Sequence, residues 1–112
     1  MTDINNLMQL EGAVAAFQFS DRGELGEHNI ADDSGLSTST LDLLAHVFVA
    51  NMAIAAMQAR GWENMTGQGG FYPVEGFTLV GLEWSAVANG NYGVILGNEK
   101  ADYELAYKAL SA

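Results

Sequence analysis

The spacing of apolar residues predicts a short helix followed by a β-hairpin at the start of the chain. Ile4, Leu7 and Met8 recur at i, i+3 and i+4, so they share one face of a helix. From residue 13 the period becomes two, and apolar side chains on both faces indicate a central strand that is covered on both sides. Residues 20–24 carry the Asp and Gly of a turn, and residues 25–31 then return antiparallel.

A long apolar helix is predicted next. Ser39 and Asp42 form a capping pair ahead of the apolar run Leu41–Met57, and Gly61 is placed to end the helix. The run is shorter than the ~20 residues that span a bilayer, so it predicts a buried helix and no membrane span. Apolar residues cover nearly its whole circumference, whereas a helix on the surface of a monomer needs an apolar arc of only about 100°. We therefore expect a second chain to cover part of this helix.

Three more strands and a last short helix complete the predicted order. Residues 62–70 form a Gly-rich connection, and residues 71–80 form a strand whose Pro73 end lies at an edge or a bulge. The Asn-Gly pair at residues 89–90 is a strong hairpin signal within residues 83–97. The order α-β-β-α-β-β-β-α indicates an α+β sandwich, in which an antiparallel sheet of about five strands packs against the long central helix.

Composition narrows the classes of function. The 112 residues form a single domain, residues 1–112, and 49% of them are apolar. The chain has no cysteine, which excludes disulfides and cysteine-held metal clusters. Four basic and 14 acidic residues give a net charge of −10, so we expect neither nucleic acid nor a membrane as partner. The first residues lack the basic and apolar regions of a secretory signal, which favours a cytoplasmic location.

Three segments of the sequence carry a family resemblance, namely Leu10–Ala16 at the first strand, Ser20–Leu25 at the first turn and Asn91–Leu96 in the last strand. They resemble the roadblock/dynein light chain superfamily. Together with the order of elements, they make the chain similar to small stand-alone prokaryotic roadblock proteins along nearly its whole length. The resemblance implies a roadblock/profilin-like fold. It also implies a homodimer in which the central helices pack together and the third strands pair into one continuous sheet.

The same resemblance implies a non-enzymatic scaffold or regulator. Members of the superfamily often regulate small Ras-like GTPases or assemble larger complexes. The expected partners are therefore a second copy of the chain and another protein, and no cofactor is expected. The predicted dimer interface lies on the central helix and the third strand and consists of Leu43, Val47, Phe48, Asn51, Ile54, Phe77 and Leu79.

Two histidines lie near carboxylates, but neither pattern predicts a metal site. Asp42 and His46 are one helical turn apart, and a metal would need a third ligand that the sequence does not place. His28 lies near carboxylates at positions 27, 32 and 33, without the spacing of an EF-hand. For His28, a solvated, charged strand edge is the simpler interpretation. Asp42 and His46 are interpreted as a narrow polar stripe on an otherwise buried helix or as a polar contact in the dimer interface.

Two further segments lack residues that catalysis needs. Gly67–Gly70 is followed by Phe71-Tyr72-Pro73, where a phosphate-binding loop would have Lys and then Ser or Thr. Ser85 lacks the flanking glycines of a nucleophile elbow. We therefore predict no catalytic, cofactor-binding or metal-binding residue, and no enzymatic activity.

Aromatic residues concentrate around the third and fourth predicted strands, where two interpretations stay open. Trp62, Phe71, Tyr72, Phe77 and Trp84 could fill the core and an interface, as aromatic residues usually do. Alternatively, Trp62, Tyr72 and Trp84 line a pocket for a small molecule. The second interpretation makes the protein a ligand-binding sensor module.

Overall fold

The computed structural model describes residues 2–111 and has three helices and five strands within that range. The helices are α1 (Ile4–Leu7), α2 (Thr38–Thr66) and α3 (Tyr103–Ser111), and the strands are β1 (Ala13–Phe19), β2 (Leu25–Ile30), β3 (Gly76–Val80), β4 (Trp84–Asn89) and β5 (Tyr92–Gly97). The strands form one antiparallel sheet in the order β2-β1-β5-β4-β3. This arrangement confirms the predicted order of elements and the predicted α+β class.

The sheet is covered by helices on both faces. The cluster on the α2 side contains Ala15, Phe17, Phe19, Leu41, Ala45, Phe48, Ala86, Ala88 and Ile95. The cluster on the α1 and α3 side contains Ile4, Leu7, Ala16, Val87, Val94, Leu96, Ala106 and Leu110. Side chains of β1 enter both clusters, which confirms the prediction of a central strand covered on both sides.

Contacts between aromatic rings hold α2 on the sheet. The Phe48 ring lies 5.5 Å from that of Phe17 and 5.3 Å from that of Phe77, measured between ring centroids. Gly93 of β5 makes this contact possible, because a Cβ there would lie 2.6 Å from Phe48 and 2.8 Å from Phe17. The middle of α2 is thereby fixed over the centre of the sheet.

α2 begins earlier and ends later than the sequence predicts. Its N-cap is Ser37, whose side chain accepts a hydrogen bond from the Thr40 backbone N–H, and not Ser39. Its C-cap is Gly67, which adopts the left-handed conformation at φ 71°, and not Gly61. A single glycine inside a helix costs only about 1 kcal/mol, so the helix continues through Gly61 to the next glycine that ends it.

β3 is shorter than the predicted strand over residues 71–80, because the first five of those residues form a loop. The backbone N–H groups of Phe71 and Tyr72 donate to the Glu63 carboxylate, so they are not available to a neighbouring strand. Pro73 has no N–H to donate. The ladder with β4 therefore starts at Gly76.

α2 is mostly uncovered in the single chain. Only four of its 29 residues are buried, namely Leu41, Ala45, Phe48 and Ala59. Among residues 2–111, it is the one helix long and apolar enough to cross a bilayer by length and composition, a test that core helices of soluble proteins also pass. Its exposed apolar surface is the main feature that the fold leaves uncovered.

Candidate interaction site

The face of α2 that points away from the sheet is apolar and exposed. Leu43, Ile54 and Met57 are 64%, 54% and 73% exposed. Together with Ala50 they are spaced by seven, four and three positions, which places them on one face and forms an outer stripe along the helix. Contiguous exposed apolar surface on a folded chain marks an interaction site. This outer stripe is the first part of the candidate site.

One flank of α2 faces β3. Leu44 and Leu79 line the same cavity, whereas His46 lies against the turn between β1 and β2 on the opposite flank. Val47 and Asn51 follow Leu44 by three and seven positions, so they lie on the β3 flank as well. Both are partly exposed. The β3 flank is the second part of the candidate site.

β3 is an edge strand with an open side. Within the described range it pairs with β4 and with no other strand. Phe77 points toward α2, since it contacts Phe48, and Leu79 shares that face by the alternation of a strand. Leu79 and Val80 are 38% and 66% exposed. An open, apolar edge presents unpaired N–H and C=O groups on which another strand can pair.

Six of the seven predicted interface residues come together on this surface. They are Leu43, Val47, Asn51, Ile54, Phe77 and Leu79, each of them exposed or partly exposed. Phe48 is the exception, because its side chain is 0% exposed and packs in the core of the chain. It supports the site only by holding α2 on the sheet, so Phe48→Glu is expected to disrupt folding.

The C-terminal end of α2 and the following loop carry an aromatic corner, which we define as Trp62, Phe71 and Tyr72. The Trp62 and Phe71 rings meet edge to face with centroids 5.7 Å apart. Arg60 places its guanidinium 4.4 Å from the centre of the Tyr72 ring and donates a 2.7 Å hydrogen bond from Nη2 to Tyr72 Oη. The Glu63 carboxylate accepts hydrogen bonds from the backbone N–H of Tyr72 and Phe71, which lowers the pKa of Glu63.

An apolar cavity of about 300 Å³ lies at the opposite end of β3. We call it the edge cavity and define it by Leu36, Leu44, Leu79, Trp84 and Ile95. Its wall is almost entirely apolar, and Trp84 at its rim is 40% exposed. A cavity of this kind accepts an apolar side chain better than a polar ligand.

The three aromatic residues of the predicted ligand pocket do not share a cavity. Trp84 lines the edge cavity with Leu44, whereas Trp62 lines a separate cavity with Phe71. Positions 44 and 62 of α2 are about 27 Å apart along the helix axis. The interpretation that Trp62, Tyr72 and Trp84 form one pocket is therefore wrong.

The polar residues that the sequence singles out have local structural partners. His46 Nδ1 lies 2.7 Å from the backbone oxygen of Asp42, and both side chains are more than half exposed. His28 is exposed, with Nδ1 2.9 Å from a backbone oxygen two residues before it. Within residues 2–111, no three His, Asp or Glu side chains are placed to hold one metal ion.

Ser85 is buried in a polar network. Its side chain is 1% exposed, and its Oγ donates to Asn98 Oδ1 and lies 2.9 Å from Tyr103 Oη. Asn98 Nδ2 in turn donates to the backbone oxygen of Gly81. The hydroxyl thus ties the β3–β4 turn and the start of α3 to β4.

Sequence reasoning grouped Trp62, Phe71 and Tyr72 with other aromatic residues, but it missed the arrangement that holds the aromatic corner, and it missed the edge cavity. The contact between Glu63 and the amides of Phe71 and Tyr72 crosses a loop that carries no periodic signal. The one available signal is that Trp62 and Met65 are large apolar residues at the end of the helix, and the structure exposes them by 58% and 90%. The edge cavity depends on the packing of α2 against β3, which is a tertiary property.

Several solved structures share this fold. The gliding protein MglB from Thermus thermophilus has a TM-score of 0.73 at 16% identity, over 96% of this chain and 82% of that one. A Roadblock/LC7 domain from Streptomyces avermitilis has a TM-score of 0.65 at 16% identity, over 96% and 85%. MglB from Myxococcus xanthus has a TM-score of 0.64 at 18% identity, over 95% and 83%. At these identities the likeness shows the fold alone.

Comparison of sequences identifies the family to which the chain belongs. No curated protein matches the chain. The family model described as "Uncharacterized conserved protein (DUF2173)" matches residues 3–112, nearly the whole chain. The chain thus belongs to the DUF2173 family and has the fold of the roadblock domain.

Proposed function

We propose that the protein is a non-enzymatic scaffold or regulator, which forms a homodimer in the cytoplasm and docks a second protein. The observation that carries the proposal is the uncovered apolar surface of α2, of whose 29 residues four are buried. Exposed apolar side chains on the outer stripe and the β3 flank lose contact with water only when another molecule covers them.

The proposed dimer uses the open edge of β3 and the adjacent flank of α2. Two copies of β3 pair antiparallel about a two-fold axis, which extends the sheet across both chains. Val47 and Asn51 then face the second chain together with Phe77 and Leu79, and Leu43 and Ile54 border the contact from the outer stripe. This arrangement gives the unpaired edge a partner and covers part of α2.

The second partner is proposed to be a protein with a basic docking surface, as on a small Ras-like GTPase or a subunit of a larger complex. The net charge of −10 favours encounter with a basic patch and disfavours nucleic acid and anionic membranes. The roadblock fold agrees with this class of function, because the superfamily resemblance implies regulation of such GTPases. An electrostatically steered partner would associate more slowly as salt rises, while dissociation changes less.

Light scattering of the purified protein at micromolar concentration tests the dimer. We expect twice the chain mass of 11.9 kDa. Val47→Glu places a charge on the β3 flank and is expected to give monomers, whereas His46→Gln on the opposite flank leaves the mass unchanged. A wild-type protein that stays monomeric would contradict the proposal.

Capture of partners from the source cytoplasm, at low and at high salt, tests the docking role. A captured Ras-like GTPase whose nucleotide hydrolysis or exchange changes on addition of the protein would support a regulator. Val47→Glu, which is expected to be monomeric, serves as the control. A change in GTPase activity that is lost with this variant requires the dimer, and one that persists comes from the single chain. If no GTPase or complex subunit is retained and a small metabolite raises the Tm instead, the sensor interpretation replaces this one.

A further inference from the structure

The aromatic corner is exposed and yet held in place. Trp62 and Phe71 are 58% and 42% exposed, and their rings contact each other. The loop that carries Phe71 is fixed by Glu63 and by the contact of Arg60 with Tyr72. Holding exposed aromatic side chains in one conformation reduces the entropy lost when they bind. The corner therefore has the properties of a preformed contact.

The edge cavity has the complementary properties. It is apolar, open, and bounded by Leu79 and Trp84, which the single chain leaves 38% and 40% exposed. Of the described residues, none that lines it carries a charge. Its volume of about 300 Å³ is at the lower end of the range for ligand pockets, and it suits a bulky apolar side chain.

β3 places these two features at its opposite ends. Val74, just before β3, lines a cavity with Trp62 and Phe71, so the aromatic corner lies at the start of the strand. Leu79 and Gly81 line the edge cavity, which therefore lies at the end of the strand. When two copies of β3 pair antiparallel, the start of each strand lies beside the end of the other.

We infer that the aromatic corner of each protomer seats in the edge cavity of its partner. This inference rests on the proposed homodimer and specifies a contact that the strand pairing alone does not require. The occupant of the cavity is a second copy of this chain, and the two-fold axis makes the contact twice. Trp62 and Phe71 supply the side chains that enter the cavity.

Charge supports a second copy as the occupant. Two chains of net charge −10 repel each other, so a contact between them is favoured where the facing side chains are uncharged. Among residues 2–111, only uncharged ones line the edge cavity. At the corner, Glu63 and Arg60 are engaged within the chain by hydrogen bonds to backbone amides and to Tyr72.

Cross-linking tests the placement, and the absence of native cysteine makes it specific. Thr40→Cys lies in the lining of the edge cavity, and Phe71→Cys lies in the corner. Co-expressed with different tags and treated with a short bis-maleimide, the two variants are expected to give a cross-linked heterodimer. Phe71→Cys alone should not cross-link, because the two-fold axis sets the two corners at opposite ends of the paired strands. Met57→Cys with Thr40→Cys is the control for the outer stripe.

Affinity tests the contact itself. Trp62→Ala is expected to raise the Kd of the dimer at least tenfold in analytical ultracentrifugation. Leu105→Ala, which removes a 53% exposed apolar side chain from α3 on the opposite face of the sheet, should change the Kd less than twofold.

The outcomes separate this inference from the proposed function. A dimer that forms without the Thr40–Phe71 cross-link, or that tolerates Trp62→Ala as well as Leu105→Ala, overturns the corner contact and leaves the homodimer standing. A monomeric wild-type protein overturns both.

Discussion

The two edges of the sheet are built from different residues. β2 has the sequence LGEHNI and leads into the acidic pair Asp32-Asp33, and its four middle residues are exposed. β3 has the sequence GFTLV, with no charged residue and with Leu79 and Val80 exposed. Charges on an edge strand discourage pairing with another strand, and an apolar edge without charges permits it.

This difference indicates which edge of the sheet is available for pairing with another strand. Both strands have an open side, so backbone hydrogen bonding alone does not distinguish them. Side-chain chemistry does, because a strand paired on β2 would have to desolvate Glu27 and lie near further carboxylates of an acidic chain. We therefore expect self-association at β3 and none at β2.

The largest expected effect comes from charging the β3 edge. Leu79→Glu would bury a carboxylate between two copies, so we expect the dimer Kd to rise at least 100-fold, about 3 kcal/mol. Asn29→Glu adds the same charge to the β2 edge and should leave the Kd within twofold. Sedimentation velocity over a dilution series measures both. Equal effects of the two substitutions would contradict the distinction between the edges.

A smaller effect is expected when the β2 edge is made apolar. Glu27→Val combined with His28→Val gives β2 the character of β3, and we expect species heavier than the dimer that increase with concentration. Glu27→Gln with His28→Gln is the matched control, since it removes the charge and keeps the polarity. Light scattering distinguishes the two. If the valine variant stays dimeric at the highest soluble concentration, the side chains of β2 are not what prevents another strand from pairing at that edge.

The smallest effect concerns the loop that leads into β3. The lowered pKa of Glu63 means that its hydrogen bonds to Tyr72 and Phe71 stabilise the loop at pH values above the ordinary glutamate range. That stabilisation is lost as the pH falls through the lowered pKa. NMR shifts of the two amide protons should therefore titrate below the ordinary range in the wild type and not titrate in Glu63→Gln. A titration that persists in the variant would assign the effect to another carboxylate.

Much of the fold could be predicted from periodicity. The alternation of residues 13–19, the turn at residues 20–24 and the Asn-Gly pair at residues 89–90 each have a local signal, and all three are confirmed. The predicted ends of α2 are wrong, because more than one residue at each end is able to cap the helix. Ser37 and Ser39 both fit the N-cap, and Gly61 and Gly67 both fit the C-cap, so tertiary packing chooses between them.

The candidate site was predictable only in part. The apolar circumference of α2 is visible in the sequence, and it indicates Leu43, Val47, Asn51 and Ile54, which the structure leaves exposed or partly exposed. Phe77 and Leu79 on β3 came from the family resemblance. Phe48 could not be told from its neighbours, because burial depends on which flank of the helix meets the sheet. Trp62 and Trp84 lie 22 positions apart in the sequence, and nothing local shows that α2 places Trp62 at one end of β3 and β4 places Trp84 at the other.

The position of α1 beside α3 has a practical consequence for attached groups. Thr2 Oγ1 donates a 2.8 Å hydrogen bond to the backbone oxygen of Leu110, so the two ends of the described chain lie next to each other. They lie on the face of the sheet opposite α2. An affinity tag, a dye or a surface tether at either end would therefore leave the molecule from that face. If the protein were immobilised through either end, α2 would face the solution and stay accessible to a binding partner.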